Sequence, residues 1–217
     1  MVTCHTDEGK GEVMIYYKLT DADGNTRNGM HWAKGVTNRA TGKGKELCTD
    51  GYVHVYDTPE QAAFMRPVHV SRYTRLWKVK SRCKGITDGT KRGIKSCTVI
   101  EEIELPKLTT EQCVEIGIRA SLLVYKDKRY VRWAEDRLSG KDRTVAVADA
   151  VAAATDVAYT TDVAAYATDA VACAADAATA AAYVADAAAA AYAARAAAYA
   201  TDAGKINLVG IIEKVLK

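Results

Sequence analysis

Between positions 145 and 203 the chain carries 32 alanines in 59 residues, and no glycine, proline, tryptophan or phenylalanine. Such a segment has one regular option, because alanine is the best helix former and loses no side-chain entropy in a helix. It cannot span a bilayer, since Asp or Arg interrupts it every few residues and no uncharged run approaches the roughly 18 residues required. As one continuous helix of about 60 residues it would reach roughly 90 Å at 1.5 Å per residue. Asp162, Asp169 and Asp176 stand seven apart, and Tyr159, Tyr166 and Cys173 keep the same step. Seven residues make nearly two turns, so Asp and Tyr form neighbouring stripes. Tyr159, Tyr166, Cys173, Tyr192 and Tyr199 are the expected helix-packing residues, with small side chains between them that let another helix approach closely. The step fails after Asp176, which places a bend, a hairpin or a phase slip at 176–186. The expectation is a long Ala-rich helix or helical hairpin that self-associates or packs within the chain.

All three Trp and all three Pro lie before this segment. Charge divides the same way: up to position 144 there are 26 Lys+Arg against 19 Asp+Glu, and from 145 onward 4 against 8. A modest surplus of Lys and Arg reads as solvated surface, and no nucleic-acid motif accompanies it, so nucleic acid is not an expected partner. The six cysteines are widely spaced with no CxxC pair, and no signal-peptide pattern opens the chain. They read as free, mostly buried thiols in a reducing compartment. Cys48, His31, His54 and His69 are scattered singles without metal-ligand spacing, so no metal is expected.

Residues 1–12 read as a flexible leader, with Met14 as an alternative start. A domain over 13–141 follows. Strands are expected at 13–20, 30–36, 51–56, 74–81 and 96–105, with exposed loops at 37–45 and between the last two strands. Asp57 or Thr58 can cap a helix opened by Pro59. A second helix starts at Thr109 or Thr110; its Val114, Ile118, Ser121, Leu122 and Tyr125 share one face, which is expected to lie on the sheet. A third covers 129–138. The fold class is α+β, a small mostly antiparallel sheet with helices, followed by the Ala-rich segment at 142–203 and an amphipathic C-terminal helix at 204–217.

The strings Gly51-Tyr-Val-His-Val-Tyr56 with Pro59, Arg75-Leu-Trp77, Ile100-Glu-Glu-Ile-Glu-Leu-Pro106 and Ser139-Gly-Lys-Asp-Arg143, running into an Ala-rich tail, resemble a group of uncharacterised bacteriophage and mobile-element proteins. That resemblance implies a phage setting and the cytoplasm of a bacterial host. The order of strand, strand–helix and late acidic strand is also similar to ADP-ribosyltransferase-like domains. Those domains use a His or Arg on the first strand, an aromatic or Ser-Thr motif on the second, and often a late-strand Glu that orients a ribose. Here Tyr17 or Lys18 holds the first position and the Ser-Thr motif is absent. The resemblance implies Tyr17, Lys18, His54, Tyr56 and Glu102 as the walls of a ligand pocket.

No nucleophile motif, paired-carboxylate spacing, P-loop or GxGxxG is present; Gly42-Lys-Gly-Lys45 lacks the P-loop spacing and its Ser/Thr. No cofactor is implied. The leading expectation is a phage-associated, non-catalytic interaction protein. Its partners would be a second copy of itself through the Ala-rich helices and a host protein or nucleotide, without a membrane. The alternative is an ADP-ribosyltransferase-like enzyme or a degenerate nucleotide-binding domain, and either fits an inhibitor of a bacterial defence system.

Overall fold

The structure, a computed structural model, describes residues 12–141, 187–200 and 206–217. The leader, the choice between rod and hairpin, and Tyr159, Tyr166 and Cys173 lie outside the described residues. The chain divides into two compact units, Met1–Lys107 and Leu108–Lys217. The boundary anticipated after residue 141 thus falls earlier, and the helices that follow Lys107 group with the alanine-rich part.

The first unit is built on two antiparallel sheets. One has the order β1 (Met14–Thr20), β4 (Arg75–Ser81), β7 (Ser96–Ile103), β2 (Thr37–Arg39). The other runs β3 (Val53–Val55), β6 (Arg92–Ile94), β5 (Ile86–Thr87). Alternation along the strands sends Tyr16, Val53, Val55, Trp77, Val79, Ile94, Cys97 and Val99 from both sheets into one core, completed by Trp32. Leu19 and Leu76, opposite each other in the β1–β4 register, are buried on the other face of that sheet. Helix α1 (Pro59–His69) packs against β1 and buries Ala62, Phe64 and Met65. Its cap is Thr58, whose hydroxyl accepts from the Gln61 amide at 3.1 Å, with Pro59 at the first helical position.

Two expectations fail here for local reasons. Residues 30–36 form no strand: Gly29 and Gly35 take positive φ, an Asn25–His31 bridge folds the segment back, and the next three residues pair with β7 as β2. The segment read as a loop between β4 and β7 holds the β5–β6 hairpin, closed by the Asp88 carboxylate, which accepts from the amides of Thr90 and Lys91 at 2.8 and 3.0 Å. Strands of two or three residues are too short to show a period. Cys83 is disulfide-bonded, against the expectation of free thiols, whereas Cys48, Cys97 and Cys113 are free.

The second unit contains α2 (Thr110–Val124), α3 (Lys128–Leu138), α4 (Ala187–Ala200) and α5 (Leu208–Val215). A capping box of Thr109 and Gln112 opens α2, and Asp127 caps α3 by accepting from the Arg129 and Tyr130 amides. The partners of α2 within its unit are α4, α5 and α3. It buries Cys113, Ile116, Gly117 and Ala120 besides the predicted Val114, Ile118 and Ser121. Tyr130 of α3 is fully buried, hydrogen-bonded to the Ser121 hydroxyl and edge-on to Tyr125 at 5.1 Å between ring centroids.

Alanine, and not tyrosine, makes the seam of α4. Ala190, Ala191, Ala193, Ala194, Ala197 and Ala198 are buried while Tyr192 is 50% exposed; of Tyr199, only its place in the helix is described. A Cβ on Gly117 would lie 3.0 Å from the Cα and carbonyl oxygen of Ala190. Such an approach leaves room for hydrogens only, which explains a glycine that costs about 1 kcal/mol relative to alanine inside a helix. Among the described residues no helix is long and apolar enough to cross a membrane. Gly117→Val, which forces α2 from α4, is expected to destabilise the protein by about 1–3 kcal/mol in urea denaturation; an unchanged midpoint would contradict the close seam.

Candidate functional site

Four of the five residues named by resemblance meet where the two sheets join. The Tyr17 amide donates to the Tyr56 carbonyl at 2.9 Å and the Tyr56 amide returns to the Tyr17 carbonyl at 2.8 Å. That single rung ties β1 to the end of β3. Polar backbone groups alternate sides along a strand, so the His54 carbonyl turns the same way as that of Tyr56. A side chain answers it: the Lys18 ammonium donates to the His54 carbonyl at 2.8 Å.

The surroundings of Lys18 are apolar. Its nitrogen stands 5.3 Å from the centre of the buried Trp32 ring. Burial pulls the Lys18 amine down to about 8, partly countered by the neighbouring Cys97 thiol. Burial pushes that thiol up to about 12, against the attraction of Lys18. Cys97 is therefore a protonated core residue, not a nucleophile.

His54 points elsewhere. Its Nε2 bonds the Leu47 carbonyl, which can only accept, so Nε2 carries the proton. Burial holds the imidazole below its ordinary pKa; the Leu47 carbonyl opposes, the Lys18 and Lys91 cations lower it further, and Asp88 raises it. Burial would raise the Asp88 carboxyl, but Lys91, with its ammonium 3.4 Å away, and the hydroxyl and amides of Thr90 and Lys91 bring it below the usual range. Tyr56 is raised by burial, then by Asp88 and Tyr73. Its hydroxyl lies 3.1 Å from His69 Nδ1, and the two rings stack.

The Leu47 carbonyl is delivered by a loop over 42–51 folded on itself through glycines. The Gly42 amide donates to the Asp50 carbonyl at 3.0 Å, and a Cβ on Gly51 would fall 1.8 Å from the Gly44 carbonyl oxygen. Lys95 anchors the loop's end, donating to the Gly51 carbonyl at 2.6 Å with its ammonium 3.9 Å from the Tyr52 ring centre.

Glu102 stays apart from this group. It is registered opposite Trp77, which is itself opposite Lys18, so it lies two strands away. There it accepts two hydrogen bonds from Arg75 at 2.8 and 2.6 Å, and that guanidinium covers Trp77 at 4.6 Å. A carboxylate held by a bidentate arginine is not presented to sugar hydroxyls. Arg92 holds Asp57 in the same way at 2.5 and 3.0 Å. Trp32, Cys97, Asp88 and Lys91 belong to the cluster and were not anticipated; the Cys97–Val99 alternation carries a signal for Cys97, while Asp88 and Lys91 sit in the unforeseen hairpin. Among the described residues no three His, Cys, Asp or Glu are grouped to hold a metal ion.

Chemically, a lysine that titrates near 8 could serve as a base or carbonyl-capturing amine. Here its nitrogen is spent on a backbone carbonyl and an aromatic face, and His54, Tyr56 and Glu102 are likewise bonded within the protein. Comparison with models of protein families, with curated proteins and with solved structures gives no match.

Two outcomes follow. Because the folded amine titrates near 8 and the unfolded one near 10.5, the unfolded state binds more protons between those values, so Lys18 makes stability rise with pH there. Raised Cys97, Cys113 and Tyr16 act in the opposite sense at the alkaline end. The readout is therefore the difference between wild type and Lys18→Met, which should move toward wild type from about pH 8 to about pH 10 in urea titrations; a difference flat in pH would refute the buried amine. Gly51→Ala must displace the Gly44 backbone, with an expected loss of more than about 2 kcal/mol and loss of the His54–Leu47 bond, seen as a shifted His54 ring resonance.

Proposed function

We propose that the chain is a non-catalytic interaction protein of a bacteriophage or mobile element, acting in the host cytoplasm. In this reading the sheet-bearing unit presents a binding surface, and the Ala-rich segment packs partly within the chain and partly against a second copy. The observation that carries it is the commitment of Lys18, His54, Tyr56 and Glu102 to partners inside the protein. Each of these four groups is held by a partner within the protein, the arrangement expected of polar groups that stabilise a fold. The Gly117–Ala190 approach supports the packing role of the alanines. The resemblance of Gly51–Tyr56 and its companion strings to phage proteins supports the setting; the free thiols of Cys48, Cys97 and Cys113 suit a reducing compartment, and the bonded Cys83 weighs against it.

Sedimentation velocity of the full chain over a wide concentration range is expected to show reversible association, altered in Gly117→Val, where the alanine face of α4 loses its seat. A monomer at every concentration in both proteins would refute the self-association.

The second reading is a degenerate nucleotide-binding domain of the ADP-ribosyltransferase-like kind. It draws on the juxtaposition of Lys18 on the first strand with His54 and Tyr56 on the second. Titration calorimetry with NAD decides it: heat that saturates supports it, and none at millimolar ligand removes it.

A further inference from the structure

One face of the four-stranded sheet carries the exposed cations Lys80 and Arg39, and the segment that follows the end of β4 at Ser81 adds Arg82 and Lys84. From Lys78 to Lys84 exposure alternates: Val79, Ser81 and Cys83 are buried, whereas Lys80, Arg82 and Lys84 are exposed. The register places Lys80 between Ile15 of β1 and Thr98 of β7, and Thr98 opposite Thr37 of β2. Arg39, two residues beyond Thr37, lies on the same face and is exposed. The one carboxylate registered on this face among the described residues is Glu101, held by Lys78 at 3.5 Å. Lys80, Arg82, Lys84 and Arg39 have no ion-pair partner among the described residues.

The same face buries Leu19 and Leu76 at its other end, and its exposed part lies around Lys80. Val13 and Ile15 are 50% and 38% exposed, the Thr37 and Thr98 hydroxyls bond each other at 2.8 Å at the surface, and the half-buried Tyr17 stands beside Lys78.

We infer that this face binds single-stranded nucleic acid through its phosphate backbone. Within β4 alternate residues such as Lys78 and Lys80 are about 6.6 Å apart, a step close to that between successive phosphates of a stretched single strand, and Arg82 and Lys84 extend the charge past the strand end. Flanking apolar and aromatic side chains give bases a surface to lie on, and hydroxyls suit sugar and phosphate oxygens. An acidic protein segment would satisfy the charges but has no use for that flanking strip. The inference rests on the sheet-bearing unit being a binding module. It assigns to this face cations that composition alone reads as ordinary solvated surface.

The test is fluorescence anisotropy of end-labelled oligo(dT) and oligo(U) of about 20 nucleotides with the full-length protein. Four phosphate contacts on a single strand predict a slope of about −2.8 in log K against log salt, or about fifty-fold weaker binding at about 200 mM than at about 50 mM. The triple change Lys80→Gln, Arg82→Gln and Lys84→Gln leaves one contact and should reduce that ratio to about threefold. The control Lys128→Gln, Arg129→Gln and Lys126→Gln removes the same charge from the second unit and should keep the wild-type slope. Absence of binding at the lower salt overturns the inference. So does an equal effect of both triple changes, which would mean net charge alone, and so does equal competition by polyglutamate of matched charge, which would point to an acidic protein partner. None of these results touches the sedimentation behaviour, so failure here is distinguishable from failure of the self-association reading.

Discussion

β6 runs into β7 through Lys95 alone, and at the other side of the first unit one backbone rung and one ammonium tie β1 to the end of β3. The Tyr17–Tyr56 pair closes a ladder that goes no further, and Lys18 supplies to the His54 carbonyl the donor that a longer ladder would have given. A buried carbonyl without a partner costs about 1–3 kcal/mol, so the ammonium stays in the interior although burial disfavours its charge. The arrangement explains why Lys18, His54 and Tyr56 are close together. The contacts that assemble the group engage the Lys18 ammonium, the His54 Nε2 and the Tyr56 hydroxyl.

The outer parts of the unit depend on this junction. With β1 held to β3, the core can draw Tyr16 and Trp77 from one sheet and Val55 and Ile94 from the other around Trp32. The glycine-laced loop then reaches His54 with the Leu47 carbonyl, and the Asp88 turn brings a second pair of charges to the same place. The cations Lys80, Arg82 and Lys84 differ from the interior cluster in being exposed and without ion-pair partners among the described residues.

Much of the first unit was legible from local chemistry. β1, β4 and β7 alternate over seven or eight residues and declare their buried faces, and Thr58-Pro59 announces a helix start through capping. β2, β5 and β6 carry two or three residues each and have no period to read. Their pairing comes from turns such as Asp88 with Thr90, whose effect depends on what lies across the hairpin. All five candidate-site residues were named by resemblance; β1 and the end of β3 bring Tyr17, Lys18, His54 and Tyr56 together, and Glu102 lies two strands away. Its bidentate bond to Arg75 is a cross-strand fact invisible along the chain.

By itself the sequence determined that alanine is concentrated from 145 to 203 and that all three Trp and the single Phe lie ahead of it, because composition is a local property. It also determined an α+β chain with antiparallel strands, through alternation and turn chemistry. Only the tertiary structure decided that Gly117 seats Ala190, that α4 buries alanines while Tyr192 stands half exposed, and that Lys18 answers a carbonyl 36 positions away. Those choices turn on which groups can approach within a few ångströms once the chain is packed. Alanine permits close contact on every side, so its own pattern does not say which neighbour will come.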